Sequence, residues 1–118
     1  MEECEACGNP NVERHHIIFR SQLGLDFPLN FKYLCFEDHK GDKGPHCCRR
    51  TDLSYKIELQ RKLEALLDKE FYSEDEIRKL IGLSKKQADK IFRRFRIYPE
   101  GYSKDEIIRR LMGGRLYE

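Results

Sequence analysis

Residues 14–19 read Arg14-His15-His16-Ile17-Ile18-Phe19, and the fold turns on how they are read. β-Branched and aromatic residues in so short a run predict a strand. Adjacent side chains on a strand point to opposite faces. The two imidazoles are therefore expected to meet different surroundings, one a metal ion and the other a substrate. The chain has four histidines, and all of them lie between His15 and His46. Lys32–Phe36 reads as a second strand. Ser21–Asn30, which contains Gly24 and Pro28, reads as the loop between the two. Glu37–Lys40 starts a short helix that Gly41 and the Gly44-Pro45 pair break.

Working outward, Cys4-x-x-Cys7-Gly8 looks like half of a zinc-binding knuckle, and Cys35 stands at the end of the second strand. Asn30 follows His16 by fourteen positions, and His39 follows Asn30 by nine. This order and spacing resemble the HNH (His-Asn-His) nuclease motif over residues 4–50, in the form found in small phage and prophage HNH proteins. The resemblance implies a hairpin and helix gripping one divalent ion, the ββα-metal arrangement. It assigns His16 as general base, His15 and His39 as metal ligands, and Asn30 as the residue whose amide holds the loop and through it orients the base. His46 is a further candidate ligand, although it follows His39 by seven positions where relatives use four. The ion is left open among Mg, Mn, Zn and Ni. Relatives complete the knuckle with a second Cys-x-x-Cys, but here the run is Cys35-Phe36-Glu37-Asp38. A structural Zn on Cys4, Cys7 and Cys35 would thus take Asp38, or else Cys47 or Cys48, as its fourth ligand; the third possibility is no zinc at all.

Composition sets bounds. Of 118 residues, 37% are charged and 39% hydrophobic. A core that thin commonly needs a staple such as a metal. No apolar run approaches the ~18 residues of a membrane span. The acidic start, Met1-Glu2-Glu3, lacks the apolar stretch of a signal peptide. A cytoplasmic location without membrane contact is expected, and with it five cysteines that act as thiols or metal ligands rather than disulfides. The net charge of +2 is unevenly spread. Residues 1–72 hold 11 Lys+Arg against 13 Asp+Glu, and residues 73–118 hold 12 against 8. A basic C-terminal third suggests a nucleic-acid partner.

Three segments are expected: an HNH ββα-metal domain over 1–50, a connecting helix within 51–72, and a helix-turn-helix-like helical unit over 73–118. The class is α+β. The helix, placed at 52–71, carries Leu59, Leu63, Leu66 and Leu67 on one face, with Asp52 to cap its start. Ser73/Glu76, Ser84/Gln87 and Ser103/Glu106 have the spacing of capping boxes. Each precedes an apolar helical pattern: Ile77, Leu80, Ile81; then Ala88, Ile91, Phe92, Phe95; then Ile107, Ile108, Leu111, Met112. Gly82-Leu83-Ser84 turns between the first two helices, Tyr98–Tyr102 makes a short wing, and Gly113-Gly114 stops the third. On the second helix Lys86, Lys90, Arg93 and Arg94 fall opposite the apolar face, where DNA phosphates would be met. The expected function is a metal-dependent endonuclease that hydrolyses phosphodiester bonds in double-stranded DNA. The alternative is a non-enzymatic, zinc-containing DNA-binding protein or regulator on a degenerate HNH scaffold.

Overall fold

In the computed structural model, which describes residues 2–117, Glu13–His16 (β1) and Phe31–Leu34 (β2) pair antiparallel, with His15 opposite Lys32 and His16 opposite Phe31. Both strands are shorter than their β-prone residues suggest. After His16 the backbone leaves the ladder, because the Asn30 side chain takes over its hydrogen bonds: Oδ1 accepts from Ile18 N–H at 2.7 Å. Ile17 and Ile18 then turn into the core. The second strand stops at Leu34 because Cys35 becomes the N-cap of α1 (Phe36–Lys40), its sulfur accepting from the Asp38 N–H. This helix packs against both strands.

The long helix α2 spans Arg49–Leu66, three residues earlier at its start than expected and five at its end. Asp52 does not cap it. It sits a turn inside, where the i, i+4 spacing delivers its carboxylate to Lys56 Nζ at 2.6 Å. That lysine is 1% exposed, and Leu59, Leu63 and Leu67 are buried beside it. Leu66 stays partly exposed at the helix end.

The C-terminal half begins with β3 (Phe71–Tyr72), a two-residue strand too short to leave a periodic signal. Then come α3 (Glu74–Ile77), a π-helical turn over Arg78–Gly82, α4 (Lys85–Phe92), β4 (Ile97–Tyr98), β5 (Gly101–Ser103) and α5 (Lys104–Leu111). The wing at Tyr98–Tyr102 is a real hairpin, and β3 completes a three-stranded antiparallel sheet in the order β3-β5-β4. Gly82 takes φ +85° at the turn before α4, a left-handed conformation open to glycine at little cost. Of the three capping boxes, Ser73/Glu76 forms both arms. Ser84 accepts from the Gln87 N–H, but the Gln87 side chain bonds elsewhere. Ser103 makes no cap bond, since it is held in β5 opposite Phe71. Ile107, Ile108, Leu111 and Met112 are all buried; Leu80, in the widened π turn, is 43% exposed.

One hydrophobic core runs through all three sequence segments. Ile17, Ile18, Leu25 and Phe27, from the loop after β1, join Leu59, Leu63, Tyr72, Ile77, Phe92 and Ile107 in a single cluster. Phe27 alone, 1% exposed, contributes ~1.5–3 kcal/mol by burial. The path of this loop admits nothing larger than hydrogen at Gly24, where a Cβ would stand 1.9 Å from the Ile18 carbonyl oxygen. A second, smaller cluster of Cys4, Leu34 and Cys35 forms with Val12 and Tyr55, and Tyr55 also packs against the main core.

Candidate functional site

The end of β1, the short α1 and the loop after it bring three imidazoles together. His15 Nδ1 lies 3.1 Å from His39 Nε2, and His46 Nε2 lies 2.9 Å from the same atom. Gly41 and Gly44-Pro45 bend the chain sharply enough for His46 to return, and it stacks on Phe19 at 5.2 Å between ring centroids. The three nitrogens converge in the way one ion requires. The second nitrogen of His39 supports this. His39 Nδ1 donates to Glu13 Oε1 at 2.8 Å, which leaves its Nε2 carrying a lone pair, and a carboxylate behind a ligating histidine also raises its basicity. Glu13, held by that bond, ionises below the usual carboxylate range. His15, 2% exposed, has its pKa pushed down to about 3 by burial first and then by its two imidazole neighbours. It is therefore neutral at physiological pH, the form in which imidazole ligates. Its Nε2 is buried without a hydrogen-bond partner.

His16 points the other way, as strand alternation requires. Its Nε2 donates to Asp26 Oδ1 at 2.7 Å, and its ring meets Phe31 edge-on. It belongs to no ligand group, yet it lines the same open cleft of about 200 Å³ as the three other histidines, with Arg14, Phe19 and Arg20 completing the wall. Asn30, fully buried, uses its whole amide to shape this region. Besides the bond to Ile18 N–H, its Nδ2 donates to the carbonyls of Ile18 and Leu25 at 3.2 and 2.8 Å. It holds both ends of the loop that carries Asp26.

A second group forms on the opposite side of α1. Cys4, Cys7, Cys35 and Asp38 offer four ligand atoms close enough together for one ion. Cys35 and Asp38 occupy the N-cap and third positions of α1 and so face the same way, toward the Cys4–Cys7 turn. The Cys4 and Cys35 thiols donate to Asp38 Oδ2 at 3.2 and 3.3 Å. Hydrogen bonds from the three thiols hold the Asp38 carboxyl below its ordinary range, while that carboxylate pushes Cys7 up to about 12. A cation bound among them would take the place of the thiol protons that now face the Asp38 carboxylate. Cys47 and Cys48 lie outside the group: the Cys47 thiol donates to the Lys40 carbonyl, and Thr51 beside Cys48 lowers the pKa of its thiol.

Lys86 and Lys90 on α4 are exposed, opposite buried Ala88, Ile91 and Phe92; Arg93 and Arg94, expected on the same helix, are exposed in the C-cap and turn that follow it, because α4 ends at Phe92. Lys86, Lys90 and Arg94 also reach the histidine cleft indirectly. Arg20 is a wall of that cleft and of a neighbouring one shared with Lys86, Gln87 and Lys90; Lys90 in turn borders a third with Arg94 and Arg110. Among the described residues none of Lys86, Lys90, Arg94 or Arg110 is ion-paired. Burial, then the neighbouring Arg94 charge, lowers the Arg110 pKa.

Sequence reasoning missed Glu13, Asp26, Gln87 and Lys56. The last lies over the face of Phe19, 4.3 Å from the ring centroid. No spacing rule marks Glu13 or Asp26, whose partners lie on other elements; Lys56 does have an i, i+4 partner in Asp52, and Gln87 a capping spacing with Ser84, but neither pattern points to the cleft. Compared with known proteins, the chain matches no family model, no curated protein and no solved structure.

Proposed function

We propose that this protein is a metal-dependent DNA endonuclease of the HNH type. The observation that carries the reading is an unligated imidazole, His16, on the same cleft wall as three imidazoles whose nitrogens converge on one point. A purely structural ion site has no use for the fourth ring. Phosphodiester hydrolysis needs a base for the attacking water, positive charge at the phosphate, and a fixed geometry. His16 supplies the base, its Asp26-bonded Nε2 leaving Nδ1 to take the proton. Arg14 and Arg20, on the cleft rim, face the scissile phosphate. Asn30 keeps the loop behind the base from shifting. A divalent ion on His15, His39 and His46 supplies, when bound, the charge that stabilises the leaving oxygen. Three nitrogen donors suit Zn, Mn or Ni better than Mg, which prefers oxygen.

Double-stranded DNA is the proposed partner because cations follow one another from the histidine cleft, through Arg20 beside Asp26, to the unpaired Lys86, Lys90, Arg94 and Arg110. A polyanion laid along them meets phosphate contacts and the base in one path. The Cys4, Cys7, Cys35 and Asp38 group is read as a structural zinc site, closed by protein ligands on all four sides.

The test is nicking of supercoiled plasmid across a panel of divalent metals, compared with His16→Ala. The variant should lose at least ~100-fold in cleavage, the scale of general-base removal, while still binding metal and DNA. Equal activity of variant and parent would overturn the assignment. Binding of DNA with no cleavage under any metal would favour the non-enzymatic, zinc-containing DNA-binding alternative.

A further inference from the structure

Gln87 stands where a capping box would turn its side chain back on the Ser84 backbone; its Nε2 reaches only the Ser84 hydroxyl, at 3.3 Å, and its shorter bonds go to Asp26. Oε1 accepts from the Asp26 N–H at 2.9 Å, and Nε2 donates to the Asp26 carbonyl at 3.0 Å. A side-chain amide paired with both backbone groups of one residue fixes that residue against both sliding and rotation. Only a primary amide has the donor and the acceptor this pairing needs. On the other side of Asp26, the neighbouring Leu25 carbonyl is held by Asn30. The Asp26 carboxylate then accepts from His16 Nε2 at 2.7 Å, with Arg20 3.7 Å from its other oxygen. Two hydrogen-bonded steps thus lead from the first turn of α4 to the imidazole on the histidine cleft.

The steps matter because His16 is the last residue of β1. Beyond it no strand pairing restrains the ring. A neutral imidazole has two tautomers, and the group bonded to one nitrogen selects between them. A carboxylate accepts only, so it holds the proton on Nε2 and keeps the lone pair on Nδ1. A base whose tautomer and ring angle are preset pays no reorganisation at the reaction.

We propose that Asp26 and Gln87 are positioning residues for His16, and that α4 is thereby part of the catalytic centre as well as of the DNA-facing surface. The claim rests on the reading of His16 as general base, and its test is arranged so that the two can fail separately.

Gln87→Met removes both bonds to Asp26, and with them the longer one to Ser84 Oγ, while keeping side-chain length and adding no charge. Asp26→Ala removes the acceptor from an exposed side chain. In plasmid cleavage kcat should fall about 10-fold for Gln87→Met, the usual cost of losing an orienting partner, and about 100-fold or more for Asp26→Ala. Both residues line the cleft beside Arg20, Lys86 and Lys90, so some change in KM is expected, but one smaller than the change in kcat, because their bonds act through His16. With ¹⁵N-labelled histidine, long-range ¹H–¹⁵N spectra of the parent should show His16 protonated at Nε2 alone. Asp26→Ala should turn this into a mixed-tautomer pattern, and Gln87→Met should move it part of the way. Parent-like kcat in both variants overturns the proposal, and so does a loss of kcat with the His16 pattern unchanged. If the parent cleaves no DNA under any metal, the nuclease reading falls. The spectra then decide the positioning claim by themselves: a mixed pattern in Asp26→Ala supports it and an unchanged one overturns it.

Discussion

Two ligand groups share one five-residue helix, and they are built differently. Asp38 and His39 are neighbours on α1, yet they belong to different groups. The sulfur group draws its ligands from the Cys4–Cys7 turn and the first turn of α1, and it is filled by protein atoms. The nitrogen group draws on β1, α1 and the loop after it, has a carboxylate behind one ligand, and opens onto a cleft walled by arginines. Closed coordination suits a structural ion, and an open position suits chemistry. The difference teaches that a helix too short to be stable alone can offer candidate ligands to two separate groups at once, because successive residues are rotated by about 100° around its axis.

The sharpest way to break this comparison uses the exposed ligand of each group, since replacing an exposed residue leaves no hole in the core. His46→Ala should lower cleavage ~100-fold or more, because the ion is asked to supply several kcal/mol. The melting temperature of the metal-free protein should move by no more than ~2 °C, the range of a surface substitution. A melting shift without an activity loss would reverse the roles assigned to the two sites.

Cys7→Ser is the counterpart on the sulfur side. Structural zinc couples binding to folding, so this variant should melt roughly 10 °C lower, as ~2 kcal/mol implies for a domain of this size. Exhaustive chelation of the parent should reproduce the shift, and elemental analysis of protein purified without added metal should find about one zinc per chain beside any ion at the histidines. A stripped protein that melts like the untreated one would remove the structural ion from the picture.

The smallest effect sharpens the comparison at the DNA side. The run of cations begins at the arginines of the nitrogen group and leads through Arg20 to Lys86, Lys90, Arg94 and Arg110. Lys90→Glu with Arg94→Glu should weaken DNA binding by roughly 10-fold and lower the salt slope by about 2. Both side chains are exposed, so folding and metal affinity should be spared. Binding equal to the parent at every salt concentration, read by electrophoretic mobility, would confine α4 to a packing role.

Part of the candidate site was legible because it is local. His15 and His16 fall on opposite faces for a reason carried by any strand, and Cys35 and Asp38 share a helix turn. Asn30 does hold the loop after β1, with three hydrogen bonds from one amide. Other parts had no local mark. With 21 Asp+Glu in the chain, nothing singles out Glu13 and Asp26 as the ones that meet imidazoles. The spacing of Ser84 and Gln87 looks like a capping box, but a partner 61 residues away in sequence captures the Gln87 amide. The choice of Asp38 over Cys47 or Cys48 depended on which way α1 and the following loop turn.

By itself the sequence determined the α+β class, the positions of most helices, the order of the histidine and cysteine ligands, and the basic face of α4. These follow from hydrogen bonds and periodicities that act within about four residues. Only the tertiary structure decided that the loop after β1 enters the same core as α2, α4 and α5. Burial of Ile17, Ile18, Leu25 and Phe27 drives that docking, and it sets Asp26 against Gln87. Hydrophobic burial is non-directional and blind to sequence distance, so the pairings it creates between distant polar groups are visible only once the chain has folded.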